Sequence, residues 1–186
     1  FGCFNNLAKI CDETLAVWSK ILAKMPSAKM LFKNSAFTSS TTTSCFIERL
    51  SNFGITEDQI LIEGPSSHAD FLKAYNRVHV NLDPFAYSGG VTTLEACYMG
   101  VPTITKPGET FARRHSYSHL SVCGLNEFIA SDTNDYVKTA LDTAIKILHR
   151  PDMKYKIRES IRTSPLSDTN RYSKDLTKII LCAHKK

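Results

Sequence analysis

Short apolar runs of strand length alternate along this chain with longer stretches whose apolar residues recur every three or four positions, and glycine or proline stands at the joins. That order leaves few folds open. Strand, helix and strand in repetition build a mostly parallel sheet covered by helices on both faces and joined by right-handed crossovers. We therefore expect an α/β lobe, a Rossmann-like three-layer parallel sheet. In such a fold a ligand lies outside the carboxyl ends of the strands, so chemistry is expected in the turns that leave them.

Strands are expected at 1–4, 29–32, 59–62, 78–82 and 103–105, with a last short one at 127–130. The first helix starts near Asp12, shows Leu15, Trp18, Ile21, Leu22 and Met25 at helical spacing, and ends at Pro26. Further helices are expected at 45–53, 69–76, 92–99, 111–122, 135–148, 152–162 and 170–184. The Ser/Thr-rich stretch 34–44 offers no packing signal and reads as a mobile surface connection without chemistry. At 186 residues the chain suits one lobe, in which 132–186 form a mainly helical tail.

The stretch 81–109, NLDPFAYSGGVTTLEACYMGVPTITKPGE, carries the densest functional signal. A helix opens directly after Gly89-Gly90. Glycine lets backbone approach a ligand closely, and the free N–H groups of a first helical turn, with the helix dipole behind them, attract an anion. This combination reads as a phosphate cradle centred on Gly90. Thr92 and Thr93 could add hydroxyl donors, and Glu95, one turn into the helix, could accept from vicinal sugar hydroxyls. A plainer reading stands beside it: Thr92-x-x-Glu95 is also the pattern of a capping box that satisfies only its own helix terminus.

Composition excludes several classes. With 42% hydrophobic and 22% charged residues the chain is neither disordered nor membrane-spanning, and no apolar run is long enough to cross a bilayer. No charged n-region followed by an apolar h-region and a cleavage site is seen in its first residues, and a cytoplasmic location is expected. Six scattered cysteines show neither a CxxC pair nor zinc spacing, which points to free thiols. The net charge of +5 is uneven: residues 146–186 hold eleven Lys/Arg against four Asp/Glu, which leaves the first 145 residues at −2. Because the basic residues of this tail are interleaved with Ile157, Ile161, Leu176, Ile179 and Ile180, it reads as a packed or solvated helix rather than a nucleic-acid surface.

The strings FGCFNNLAKI, HADFLKAYNRVHVNLDPFAYSGGVTTLEACYMGVPTIT, PGETFARRHSYSHL and GLNEFIA together resemble the carboxyl-terminal catalytic lobe of the O-GlcNAc transferase and SPINDLY family, in its bacterial, tetratricopeptide-linked form. The resemblance covers nearly the whole chain. It implies one lobe of a GT-B glycosyltransferase that needs no metal, binds a nucleotide-sugar donor, and moves N-acetylglucosamine, glucose or fucose onto Ser/Thr or other protein acceptors. By the same resemblance, Asn6 and Lys9 reach the donor's phosphates and base side, Gly90, Thr92 and Thr93 form the phosphate turn, and Glu95 meets the ribose. Lys9 would also act in catalysis, because a compact ammonium can neutralise charge on the leaving diphosphate.

Phe71 stands where the animal O-GlcNAc transferase carries a histidine against uracil, with His68 one turn earlier; Phe71 could stack on a base or belong to the core, and His68 could cap its helix. A uridine donor is expected ahead of a guanosine one. His115 and His119 share a helix face but lack a third metal ligand, and Arg113 and Arg114 are left outside the site. The family's acceptor-binding repeats and catalytic histidine precede this segment. We expect a piece of a longer protein, whose partner lobe and tetratricopeptide repeats lie outside the chain and which transfers nothing alone. The alternative is a non-catalytic nucleotide-binding scaffold that kept the fold.

Overall fold

A computed structural model describes residues 1–184. Five strands form one sheet, all parallel, in the order β3-β2-β1-β4-β5: β1 is Gly2–Cys3, β2 Met30–Lys33, β3 Ile60–Glu63, β4 Asn81–Leu82 and β5 Thr103–Ile104. The chain runs outward from β1 to β3, then crosses back and sets β4 on the other side of β1, Gly2 facing both Leu31 and Asn81. The strand order therefore reverses between β1 and β4, which is where such a sheet opens a ligand crevice.

Helices α1 (Asp12–Lys24), α2 (Ser40–Ser51), α3 (His68–Ala74), α4 (Val91–Tyr98), α5 (His115–Val122), α6 (Thr133–His149), α7 (Asp152–Arg162) and α8 (Thr169–His184) follow the strands or extend beyond them. Alternating residues of β2 serve the two faces of the sheet. Met30 and Phe32 join the larger core with Trp18, Ile21 and Leu50, whereas Leu31 joins a smaller one with Phe4, Tyr75, Val78 and Ala96. This division puts α1, α2 and α6 over one face and α3 and α4 over the other. α6 and α7 bury Tyr136, Ala140, Ile157 and Ile161, so they are part of the lobe's body. Every residue from 169 to 183 of α8 is exposed, and the last two lysines of the basic tail, Lys185 and Lys186, lie outside the described residues. Among the described residues no helix is long and apolar enough to cross a membrane, and all six cysteines are free.

Two expectations need correction. The Ser/Thr stretch is ordered: residues 35–38 wind into a 3-10 turn with Phe37 buried, and α2 begins at Ser40. Its cap is Ser39, whose Oγ accepts the Thr42 amide at 3.2 Å, and the helix buries only Phe46 and Leu50, so its exposed face tolerates hydroxyl residues. The last strand shrinks to one bridge between Thr105 and Ile129, because residues 126–128 form a 3-10 turn instead.

Candidate functional site

The turns after β1 and β4 meet at the carboxyl edge of the sheet. Beyond β1 the chain passes Phe4, Asn5 and Asn6 into a 3-10 turn, Leu7–Lys9. The Lys9 ammonium donates to the Ser88 carbonyl at 3.2 Å and lies 4.2 Å from the centre of the Tyr87 ring. It therefore stands two residues from Gly90, the residue that opens α4. Partial burial lowers the Lys9 pKa, opposed by the negative field of Asp83.

No side chain caps α4, and the amides of Gly90, Val91 and Thr92 donate no hydrogen bond within the described protein. Gly90 also faces open space: an added Cβ would meet nothing within 4 Å. Uncapped amides, a helix dipole and an ammonium on one side of the sheet make a local concentration of positive potential suited to a diphosphate. The capping-box reading fails here. Thr92 Oγ1 donates to Asn5 Oδ1 at 3.0 Å, and Glu95 Oε1 pairs with His68 Nε2 at 2.9 Å, so neither side chain serves its own helix end. Asn5 itself is buried and its Nδ2 has no partner.

The remaining expected site residues fall in different places. Thr93 is buried, its hydroxyl 2.8 Å from Ser116 Oγ, so it ties α4 to α5 rather than lining the open space. Asn6 is exposed, and its Oδ1 accepts the Ala8 amide at 2.9 Å, shaping the turn that carries Lys9. Phe71 is half-buried and meets Phe4 and Tyr75 edge-on at centroid distances of 5.3 and 5.9 Å. It belongs to the smaller core and also walls a cavity of about 230 Å³ with Phe4, Lys33, Asn34, Pro65 and Ser66, on the β2 and β3 side of the crevice. His68 is the first residue of α3, whose cap is Ser67.

One residue central to the turn was not singled out from the sequence. Asp83, fully buried after β4, accepts the Gly89 amide on Oδ1 and the Thr105 hydroxyl on Oδ2, each at 2.6 Å. Burial raises its pKa to about 6 even though these hydrogen bonds pull the other way. An acid closing an apolar strand ahead of a Gly-Gly turn was the available signal. Ser116 completes the brace by donating to the Gly89 carbonyl at 3.0 Å. His115 stacks on Tyr87 at 5.4 Å, while Arg113 donates to the Phe85 carbonyl and Arg114 to that of Gly108.

A parallel sheet whose order reverses beside a braced Gly-Gly turn and an uncapped helix defines a Rossmann-like lobe of the GT-B type. Residues 1–176 match the model of glycosyl transferase family 41, and the chain belongs to that family. It is 33% identical over 177 residues to a probable UDP-N-acetylglucosamine–peptide N-acetylglucosaminyltransferase SPINDLY of Eustoma exaltatum subsp. russellianum, covering 95% of this chain and 19% of that protein. A solved mutant of the Thermobaculum terrenum O-GlcNAc transferase superposes with a TM-score of 0.89 at 30% identity, over 97% of this chain and 35% of that one. Anabaena HepE, solved in complex with UDP, shares the fold at a TM-score of 0.65 and 12% identity, over 95% of this chain and 48% of that one. The chain thus spans about a fifth of the length of the curated relatives it matches.

Proposed function

We propose that this chain is the nucleotide-sugar-binding lobe of a glycosyltransferase that moves a sugar onto protein acceptors. The observation that carries the reading is the position of Lys9 against Ser88, at the head of an uncapped helix. In this reading the diphosphate sits on the Gly90, Val91 and Thr92 amides, Lys9 and the helix dipole supply the positive charge without a metal ion, and Glu95 accepts from the ribose. Lys9 neutralises charge that grows on the diphosphate as the glycosidic bond breaks, so its contribution is larger in the transition state than in the bound donor. The donor is a nucleotide sugar, a uridine one ahead of a guanosine one, as the relative's name supports.

Transfer needs more than this lobe. Gly90 opens to space, so a second lobe is required to cover the sugar and hold the acceptor in line. We assign the covering lobe, the general base and the tetratricopeptide repeats that hold the acceptor to the rest of a longer, cytoplasmic protein. The isolated lobe binds nucleotide and transfers nothing.

Calorimetric titration with UDP, GDP and ADP tests this reading. Saturable binding of UDP, weakened roughly tenfold or more in Lys9→Ala by loss of a charged hydrogen bond, is the expected result. Absence of binding to all three nucleotides would instead favour a scaffold.

A further inference from the structure

Glu95 is held before any ligand arrives. Its side chain is 16% exposed, and its only ion-pair partner among the described residues is the imidazole of His68, which is itself 72% exposed. The two come from different elements, His68 from the head of α3 and Glu95 from the second turn of α4. An ionised carboxylate can only accept, so in this contact the imidazole Nε2 carries the hydrogen and donates it to Oε1 at 2.9 Å. The other oxygen, Oε2, has no hydrogen bond within the described protein, while α3 on the other side of His68 carries Phe71, whose ring lies nearly parallel to the imidazole at 6.5 Å.

A glutamate has three rotatable side-chain torsions, and an unanchored one must surrender that freedom when it binds a diol. Fixing one oxygen in advance removes most of that cost and leaves the second oxygen aimed. No comparable donor reaches Glu95 from its own helix, because the Thr92 hydroxyl is spent on Asn5. The anchor is therefore supplied by a neighbouring element, the head of α3.

We propose that His68 is a positioning residue that presets Glu95 for the ribose diol and so makes this lobe prefer ribonucleotides to deoxyribonucleotides. The inference rests on the reading of Glu95 as the ribose carboxylate. A solvent-exposed imidazole that only decorated the surface could be removed with no change in selectivity. A preset carboxylate instead affects only ligands that carry the hydroxyls it meets.

The test compares UDP with 2′-deoxyuridine diphosphate by calorimetry, with the guanosine pair run alongside, for the unaltered chain and for His68→Ala, His68→Gln and Glu95→Ala. The unaltered chain should favour UDP by about tenfold, the worth of one hydrogen bond to a charged group. In His68→Ala the preference should fall to about threefold or less with the deoxynucleotide bound within twofold of its original affinity, and His68→Gln, which can still donate to Oε1, should keep it. The position is exposed, so an unchanged melting temperature shows that the fold is intact. Full preference in His68→Ala overturns the proposal, as does equal weakening of both nucleotides, which would place the imidazole on the base or phosphates. If UDP binds but Glu95→Ala keeps the preference, the ribose assignment falls and takes His68 with it, while the diphosphate site stands. If no nucleotide binds, the diphosphate site itself is wrong, and the proposal goes with it.

Discussion

Asp83 Oδ1 accepts the Gly89 amide at 2.6 Å, and this one bond sets the turn from which α4 departs. The second carboxylate oxygen is held by Thr105 beyond β5, so the Gly-Gly turn is braced against the neighbouring strand. An acid in this place has an electrostatic consequence that can be measured.

Burial raises the Asp83 carboxyl to about 6 from an unfolded value of 3.8. The folded chain therefore binds that proton more tightly than the unfolded chain. Its contribution to stability is full below pH 3.8 and is lost as pH rises through about 6. Asp83→Asn, neutral throughout, should gain on the unaltered chain by on the order of 2–3 kcal/mol between pH 4 and pH 7.5. Urea denaturation at both pH values checks this, and a stability difference that does not change with pH contradicts it.

Neighbouring glycines should respond differently. A Cβ at Gly89 would fall 2.4 Å from Thr93 Oγ1 and 3.1 Å from Asp83 Oδ1, whereas one at Gly90 meets nothing within 4 Å. Gly89→Ala is expected to cost about 1–3 kcal/mol of stability through overpacking of the brace. Gly90→Ala should cost under about 1 kcal/mol yet weaken UDP binding, since its methyl group enters the space assigned to the diphosphate. Thermal melts and nucleotide titrations on both variants would show the split, and equal behaviour in the two assays would refute it.

Tyr136 connects the core to this brace. Its hydroxyl accepts from Trp18 Nε1 at 3.2 Å and donates to the Asp83 carbonyl at 3.0 Å, with both aromatic residues fully buried. Tyr136→Phe strands the indole donor in an apolar surround, at a cost of about 1–3 kcal/mol. Melting should fall by roughly 2–12 °C for a chain of this size. A fall below 1 °C would mean that the indole finds another acceptor.

The alternation of strands and helices was legible because each strand is a short apolar run: Met30–Lys33 is buried throughout, the edge strand Ile60–Glu63 stays apolar up to its last residue although Leu61 is exposed, and both lie within a residue of the expected places. α7 begins and ends as its periodicity predicts, with Ile157 and Ile161 buried. α2 was read too short, since a hydroxyl-rich first turn looks like a loop until its cap and the packing of Phe37 on Phe46 at 5.5 Å are seen. Within the site, the Gly-Gly turn was legible from its own residues and Lys9 only through the family resemblance, and their meeting is a tertiary fact: 79 residues separate Lys9 from Ser88. The braces Asp83 and Ser116 escaped notice, and His68 was read only as a possible helix cap, because each acts across elements, where spacing along the chain carries no signal.

The most direct test follows backbone amides by 15N-resolved NMR as UDP is added. If the head of α4 and Lys9 form the diphosphate site, the largest shifts should fall on Gly90, Val91 and Thr92, and Lys9→Ala should suppress them at the same UDP concentration. Shifts centred instead on the 730 Å³ cavity between α6 and α7, at Lys146, Arg150 and Ile157, or shifts at Gly90 that persist unchanged in Lys9→Ala, would contradict the account.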